Sequence, residues 1–166
     1  ISTKKELYDF ILKVEGKIFI NHEDKLLNDI VPKSVSHITY GEQERSYIHG
    51  ELTKLTPFVH LEWRTSKYVS SIIETKLVGK YNFTNFLAAI AIGLYLDVDK
   101  NQINKALTEY KPSNNRSQVT VTKNNTIIVD CYNANPSSMF SALESFKEIE
   151  NGNKIAILGA MLELGN

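Results

Sequence analysis

Cysteine is nearly absent from the chain. Cys131 stands alone, so no disulfide can form within these residues, and a reducing compartment is the simplest expectation. No charge sign is in excess, because nineteen Lys and Arg meet nineteen Asp and Glu. That balance removes the bulk electrostatic footprint of a nucleic-acid binder. No apolar run approaches the roughly 18 residues that a membrane helix needs. The opening residues, Ile1 to Glu6, run straight into an amphipathic segment and contain no signal-peptide core. His22, His37, His49 and His60 show no metal-ligand spacing. Neither G-x-x-x-x-G-K-[ST] nor G-x-G-x-x-G occurs, so any phosphate loop has to lie outside these residues. The absences together lead us to expect a cytoplasmic protein with no membrane and no nucleic-acid partner.

What remains is ordinary globular material. Apolar residues make up 42% of the chain and charged residues 23%, and 166 residues suffice for one domain or two small ones with a sizeable core. Leu7, Phe10, Ile11 and Val14 recur at helical spacing, with Gly16 as a stop. A short strand is expected over 17–21, a turn over 21–24 and a helical piece over 25–29. From Ser36 to Val78 the texture is β-branched, aromatic and partly alternating, which predicts several strands with antiparallel pairing. Asn82 to Leu96 is apolar nearly all round, the pattern of a helix buried on most faces. A second helix follows over 99–109, capped by Asp99, with Ile103, Ala106 and Leu107 turned inward. Lys111-Pro112-Ser113-Asn114-Asn115 breaks the pattern, and we place a domain boundary there, between 1–113 and 114–166. Beyond it lie a strand over 117–122, a turn at Asn124-Asn125, a buried-type strand over 126–129, a helix over 137–149 and an apolar strand over 154–158. Strand, helix and strand in this order predict a βαβ unit of a parallel sheet.

Polar chemistry concentrates at three places. In an open α/β sheet, ligands bind at the carboxyl ends of strands, and Asp130 to Pro136 occupies such an end. Asp130 there suits ribose hydroxyls or a cation. Asn133 and Asn135 can each donate and accept, as an amide-like ligand requires. The helix after them points free N–H groups at the same space. Asn-x-Asn-Pro-Ser is also good turn and capping chemistry in its own right. Asn82 and Asn85, three apart, share one face of a helix's first turn, as ligand groups or as plain caps. Arg116 follows the boundary directly, either as a clamp for phosphate or as a surface residue of a linker.

Four blocks, in order, resemble the Mur ligase family. They are Gly79-x-x-Asn82-x-x-Asn85, Asn115-Arg116-Ser117-Gln118, Asp130-Cys131-Tyr132-Asn133-Ala134-Asn135-Pro136, and Leu158-Gly159-Ala160-Met161-Leu162-Glu163-Leu164-Gly165. The Tyr-Asn-Ala-Asn-Pro block is similar to the branch that adds D-alanyl-D-alanine to UDP-N-acetylmuramoyl tripeptide. The resemblance implies an α/β fold: the back half of a central ATPase domain with a mixed sheet, then the first βαβ unit of a Rossmann-like C-terminal domain. With no initiator Met, the residues read as a piece of a longer chain.

The resemblance also implies an ATP- and Mg²⁺-dependent amide ligase working through an acyl phosphate in peptidoglycan synthesis. Its phosphate loop, metal ligands and modified lysine would fall upstream, so these residues alone are not expected to ligate. Asn82, Asn85, Arg116 and Asp130 match positions that meet the nucleotide. Tyr132, Asn133 and Asn135 match positions between nucleotide and incoming dipeptide. Tyr81, Cys131 and Ala160 depart from the residues usual in the family, which are His, Ser and Asp. Two alternatives stay open: an amide ligase of the folylpolyglutamate or cyanophycin synthetase type, and a non-catalytic nucleotide- or peptide-binding module.

Overall fold

The computed structural model describes residues 2–55, 57–113, 115–131, 134–149 and 152–161. Helix α1 spans Ser2–Lys13, strand β1 Ile18–Asn21 and helix α2 Lys25–Ile30. Strands β2 His37–Gly41, β3 Ile48–Lys54, β4 His60–Thr65, β5 Tyr68–Val69 and β6 Ile73–Glu74 follow. Helices α3 Tyr81–Tyr95 and α4 Lys100–Glu109 come next. Strands β7 Gln118–Val121 and β8 Thr126–Val129 and helix α5 Pro136–Glu148 complete the order.

The first sheet is mixed and runs β1-β2-β3-β4-β5, with β6 pairing β4. β1, β2 and β3 are parallel to one another, whereas β4 is antiparallel to β3, β5 and β6. The expected antiparallel portion is therefore present, and parallel strands lie beside it. α3 crosses β1, β2 and β3 and buries Phe83, Phe86, Leu87 and Ile90 against Ile48, Leu61 and Trp63. Its apolar character on most faces follows from this seat. A smaller cluster of Tyr8, Ile18, Ile20 and Val35 holds α1 and α2.

The seat of α3 depends on Gly50. A Cβ at that position would lie 2.3 Å from Leu87 Cδ2, closer than two carbons can approach. Glycine in β3 is what lets the helix come down onto the sheet. Gly79 does a second backbone task, with φ +93° in the turn that launches α3.

Several expectations are corrected. Residues 154–158 form no strand, and Ile155 and Ile157 are exposed. A strand is defined by its ladder, and among the described residues none lies beside this one. β8 instead pairs antiparallel with β7, so the second sheet is a two-stranded hairpin. β8 is not buried either, because two strands lack the partners to cover both faces, and Ile127 is 47% exposed. On α1, Tyr8 and Ile11 turn inward while Leu7 and Phe10 lie outward on the neighbouring stripe, and Val14, just beyond the helix, is exposed. Ile103 and Leu107 are buried as expected, but Ala106 is exposed. Among the described residues, no helix is long and apolar enough to cross a membrane.

The close approach of α3 gives a stability test. Gly50→Ala should cost roughly 1–3 kcal/mol through overpacking, and Leu87→Ala roughly 2–5 kcal/mol through the cavity it leaves. The double variant should cost clearly less than the sum in urea denaturation, because the truncated Leu87 makes room for the new methyl group. Additive costs would mean that these two residues do not set the helix seat.

Candidate functional site

The polar residues singled out in the sequence come together where α3, α5 and β8 converge. α3 opens with Tyr81, Asn82 and Asn85 on its first turns. Its N-cap is Lys80, which makes no side-chain capping bond, so Asn82 and Asn85 are not there as caps. Asn82 is buried, and its amide nitrogen donates to Val78 O at 2.7 Å and to Ser117 Oγ at 3.1 Å. Its oxygen accepts from Asn85 Nδ2 at 3.3 Å. Asn82 therefore ties α3 to the linker, and Asn85, which is exposed, is left as the amide that can meet a ligand.

The linker is bent sharply around Arg116. Asn115 and Ser117 both take positive φ, +56° and +50°. Such angles are uncommon outside glycine and are held by surrounding bonds. Those bonds are present: Cys131 N donates to Asn115 O at 2.9 Å, and Ser117 N donates to Asp130 Oδ1 at 3.2 Å. Ser117 itself is buried. The result is that β8 and the linker fix one another, with Asp130 at the carboxyl end of the strand.

Tyr81 joins the two sides. Its hydroxyl donates to Asp130 Oδ2 at 2.8 Å and lies 2.6 Å from Ser117 Oγ. A carboxylate only accepts, and a phenol has one proton. Once that proton is given to Asp130, the Ser117 hydroxyl must donate to the phenol oxygen. Ser117 Oγ in turn accepts from Asn82. The bonds thus run one way, from Asn82 through Ser117 and Tyr81 to Asp130. Burial pushes the Tyr81 phenol up to about 12; its bond to Asp130 and that group's charge act in the same direction, against the lowering effect of Ser117.

α5 begins at Asn135, whose side-chain oxygen accepts from Ser138 N at 2.9 Å while Ser138 Oγ accepts from Asn135 N at 3.2 Å. This is a reciprocal capping box with Pro136 at the first turn. The expectation of several free N–H groups there is corrected. Proline has none, and the N–H groups of Ser138 and Met139 are already bonded to Asn135. Asn135 does serve as a cap, which leaves its amide nitrogen as the group it can offer a ligand.

Asn82, Asn85, Arg116, Asp130 and Asn135 all line one cavity of about 640 Å³. Tyr132 and Asn133, also expected there, lie outside the described residues. Leu107, Tyr110, Phe86 and Ala89 add apolar lining to the same cavity. Apolar lining, side-chain amides, a carboxylate acceptor and a cation on one cavity make a set suited to a nucleotide. Sequence reasoning assigned no role to Ser117 or Tyr81. The signal for Ser117 was a small hydroxyl residue beside a strained linker; for Tyr81 it was its place one residue before Asn82. Among the described residues, no group of three or more His, Cys, Asp or Glu could hold a metal ion.

The raised Tyr81 pKa sets a pH window. The folded protein keeps a proton that the unfolded chain releases near 10.0. The stabilisation is therefore full below that pH and is lost as pH rises towards about 12. In a difference ultraviolet titration against Tyr81→Phe, the Tyr81 phenolate should be absent at pH 10–11. A Tyr81 signal centred at the ordinary value would show that the phenol is neither buried nor bonded.

Comparison with known proteins gives the family. The sequence profile of the Mur ligase middle domain matches residues 1–93, and that of the Mur ligase glutamate ligase domain matches residues 115–166. UDP-N-acetylmuramoyl-tripeptide–D-alanyl-D-alanine ligase of Bacillus subtilis is 36% identical over 158 residues, covering 93% of this chain and 34% of that protein. The ligase of the same name from Treponema pallidum is 38% identical over 133 residues, covering 79% of this chain and 28% of that protein. The MurF ligase of Thermotoga maritima, solved in complex with ADP, shares the fold with a TM-score of 0.75 at 20% identity, over 90% of this chain and 34% of that one. The chain thus spans about a third of the length of its relatives. Two domain profiles in the order of the two sheets, and a relative aligned along almost all of these residues, establish that the chain belongs to the Mur ligase family.

Proposed function

We propose that these residues form the nucleoside side of the active cleft in an ATP-dependent peptide ligase, one that joins D-alanyl-D-alanine to UDP-N-acetylmuramoyl tripeptide in the cytoplasm. The observation that carries the reading is the meeting of Asn82, Asn85, Arg116, Asp130 and Asn135 on one cavity. Residues 1–113 belong to the central ATP-binding domain and 114–166 to the C-terminal domain, with the bent linker around Arg116 as the joint. The named activity of the Bacillus subtilis and Treponema pallidum relatives supports the choice of substrates.

In such a reaction ATP supplies a phosphoryl group that turns a carboxylate into an acyl phosphate, and Mg²⁺ offsets phosphate charge. The amine of the dipeptide then displaces phosphate to form the amide bond. The residues here bind and orient. Asn85 offers its amide to the edge of the base, and the wall of Phe86 and Leu107 covers the ring. Asp130 accepts from ribose hydroxyls. Arg116 brings a permanent positive charge to the phosphates. Asn135 offers its amide nitrogen to the incoming dipeptide, Tyr132 and Asn133 are assigned to the same substrate by the family resemblance, and the Mg²⁺ ligands are assigned to other parts of the protein.

Kinetics of the full-length protein test the assignment. Arg116→Ala and Asp130→Ala should each raise the KM for ATP by about tenfold or more, since each removes a charged hydrogen-bonding group. Unchanged kinetics in both variants would refute a nucleotide at this cavity. Replacing D-alanyl-D-alanine by single amino acids should abolish turnover; efficient use of glutamate would instead place the protein with the folylpolyglutamate type.

A further inference from the structure

We infer that Tyr81 is a positioning residue for ribose recognition: its hydroxyl holds the Asp130 carboxylate in the one orientation that can accept both hydroxyls of a ribose diol. The inference rests on the proposed nucleotide reading of the cavity and names the residue that gives that reading its sugar specificity.

Asp130 is exposed at a strand end, where a short side chain on its own would sample several rotamers. Two protein donors remove that freedom. Tyr81 OH holds Oδ2 at 2.8 Å, and Ser117 N holds Oδ1 at 3.2 Å. Among the described residues, each oxygen takes one bond from the protein, and a carboxylate has about four acceptor positions. One position on each oxygen remains, which matches the two donors of a vicinal diol. The phenol is itself aimed by the bond from Ser117, which is aimed by Asn82. Successive bonds in such a chain polarise one another. Asn82 lies beside Asn85, so the groups that meet the base and the sugar are set by a single network. Gly79 leaves the room that the Tyr81 ring occupies, since a Cβ there would lie 2.5 Å from Cε1.

The test compares ATP with 2′-deoxy-ATP and 3′-deoxy-ATP in the full-length protein, for wild type, Asp130→Ala, Tyr81→Phe and Tyr81→His. Wild type should favour ATP, and Asp130→Ala should lose that preference. Tyr81→Phe keeps the ring and loses only the proton. It should raise the KM for ATP about 3- to 10-fold, change kcat little, and shrink the preference for ATP over either deoxynucleotide. Tyr81→His, with a ring N–H, should recover part of the preference. If Asp130→Ala erases the preference and Tyr81→Phe leaves it intact, Tyr81 does not position the carboxylate and the inference is overturned. If Asp130→Ala also retains the preference, the ribose assignment itself fails. Should Tyr81→Phe not fold, Ser117→Ala carries the test. It removes the bond that aims the phenol, so the preference should shrink there too, and full retention overturns the inference.

Discussion

The Tyr81 hydroxyl has a single proton, and its destination orders the whole joint. Given to Asp130, it forces the Ser117 hydroxyl towards the phenol and leaves Ser117 Oγ open to Asn82. Three elements far apart in sequence are thereby fixed together: the first turn of α3, the bent linker and the end of β8. Each bond is modest in net terms. Their value lies in direction, because donors and acceptors of the right kind must meet in the right order.

That order rests on apolar packing beneath it. α3 can present Tyr81, Asn82 and Asn85 at a defined place only because its other faces are locked into the core. Phe83, Leu87 and Ile90 are almost fully buried, and Gly50 gives Leu87 the space to descend onto β3. The site therefore combines a rigid support with a strained connector. Asn115 and Ser117 hold left-handed backbone angles, and bonds at Asn115 O and Ser117 N tie both residues to the β8 end. Loss of the carboxylate at Asp130 would remove one of the bonds that hold the linker as well as the Tyr81 contact. Specificity and joint geometry are consequently linked through the same side chain.

Much of this was legible in the sequence, for physical reasons. An apolar run such as Asn82 to Leu96 reads as a buried helix, and α3 is that, with Asn82 and Asn85 lining the cavity at its start. The strand signals between Ser36 and Val78 gave antiparallel pairing at β3 and β4, and Asp99 caps α4 through bonds to Asn101 N and Gln102 N. Residues 154–158 read as a strand because an apolar run carries that signal locally, whereas pairing depends on what lies alongside. The spacing of Leu7, Phe10 and Ile11 gives a helix but not its inward face, since Leu7 and Tyr8 occupy adjacent stripes and the neighbouring cluster decides between them. The hydrogen-bond chain was not legible at all. Tyr81, Ser117 and Asp130 are separated by 36 and 49 positions along its two bonds, and no local pattern reports such a meeting.

The central claim is that a nucleoside sits in this cavity with its sugar on Asp130 and that Tyr81 fixes the carboxylate. A crystal structure of the full-length protein with ADP tests it most directly. The account predicts both ribose hydroxyls within hydrogen-bond distance of the two Asp130 oxygens, the Asn85 amide at the edge of the base, and the Tyr81–Asp130 bond retained near its 2.8 Å length. A ribose bound away from Asp130, or a Tyr81 hydroxyl turned off the carboxylate in the bound state, would contradict it.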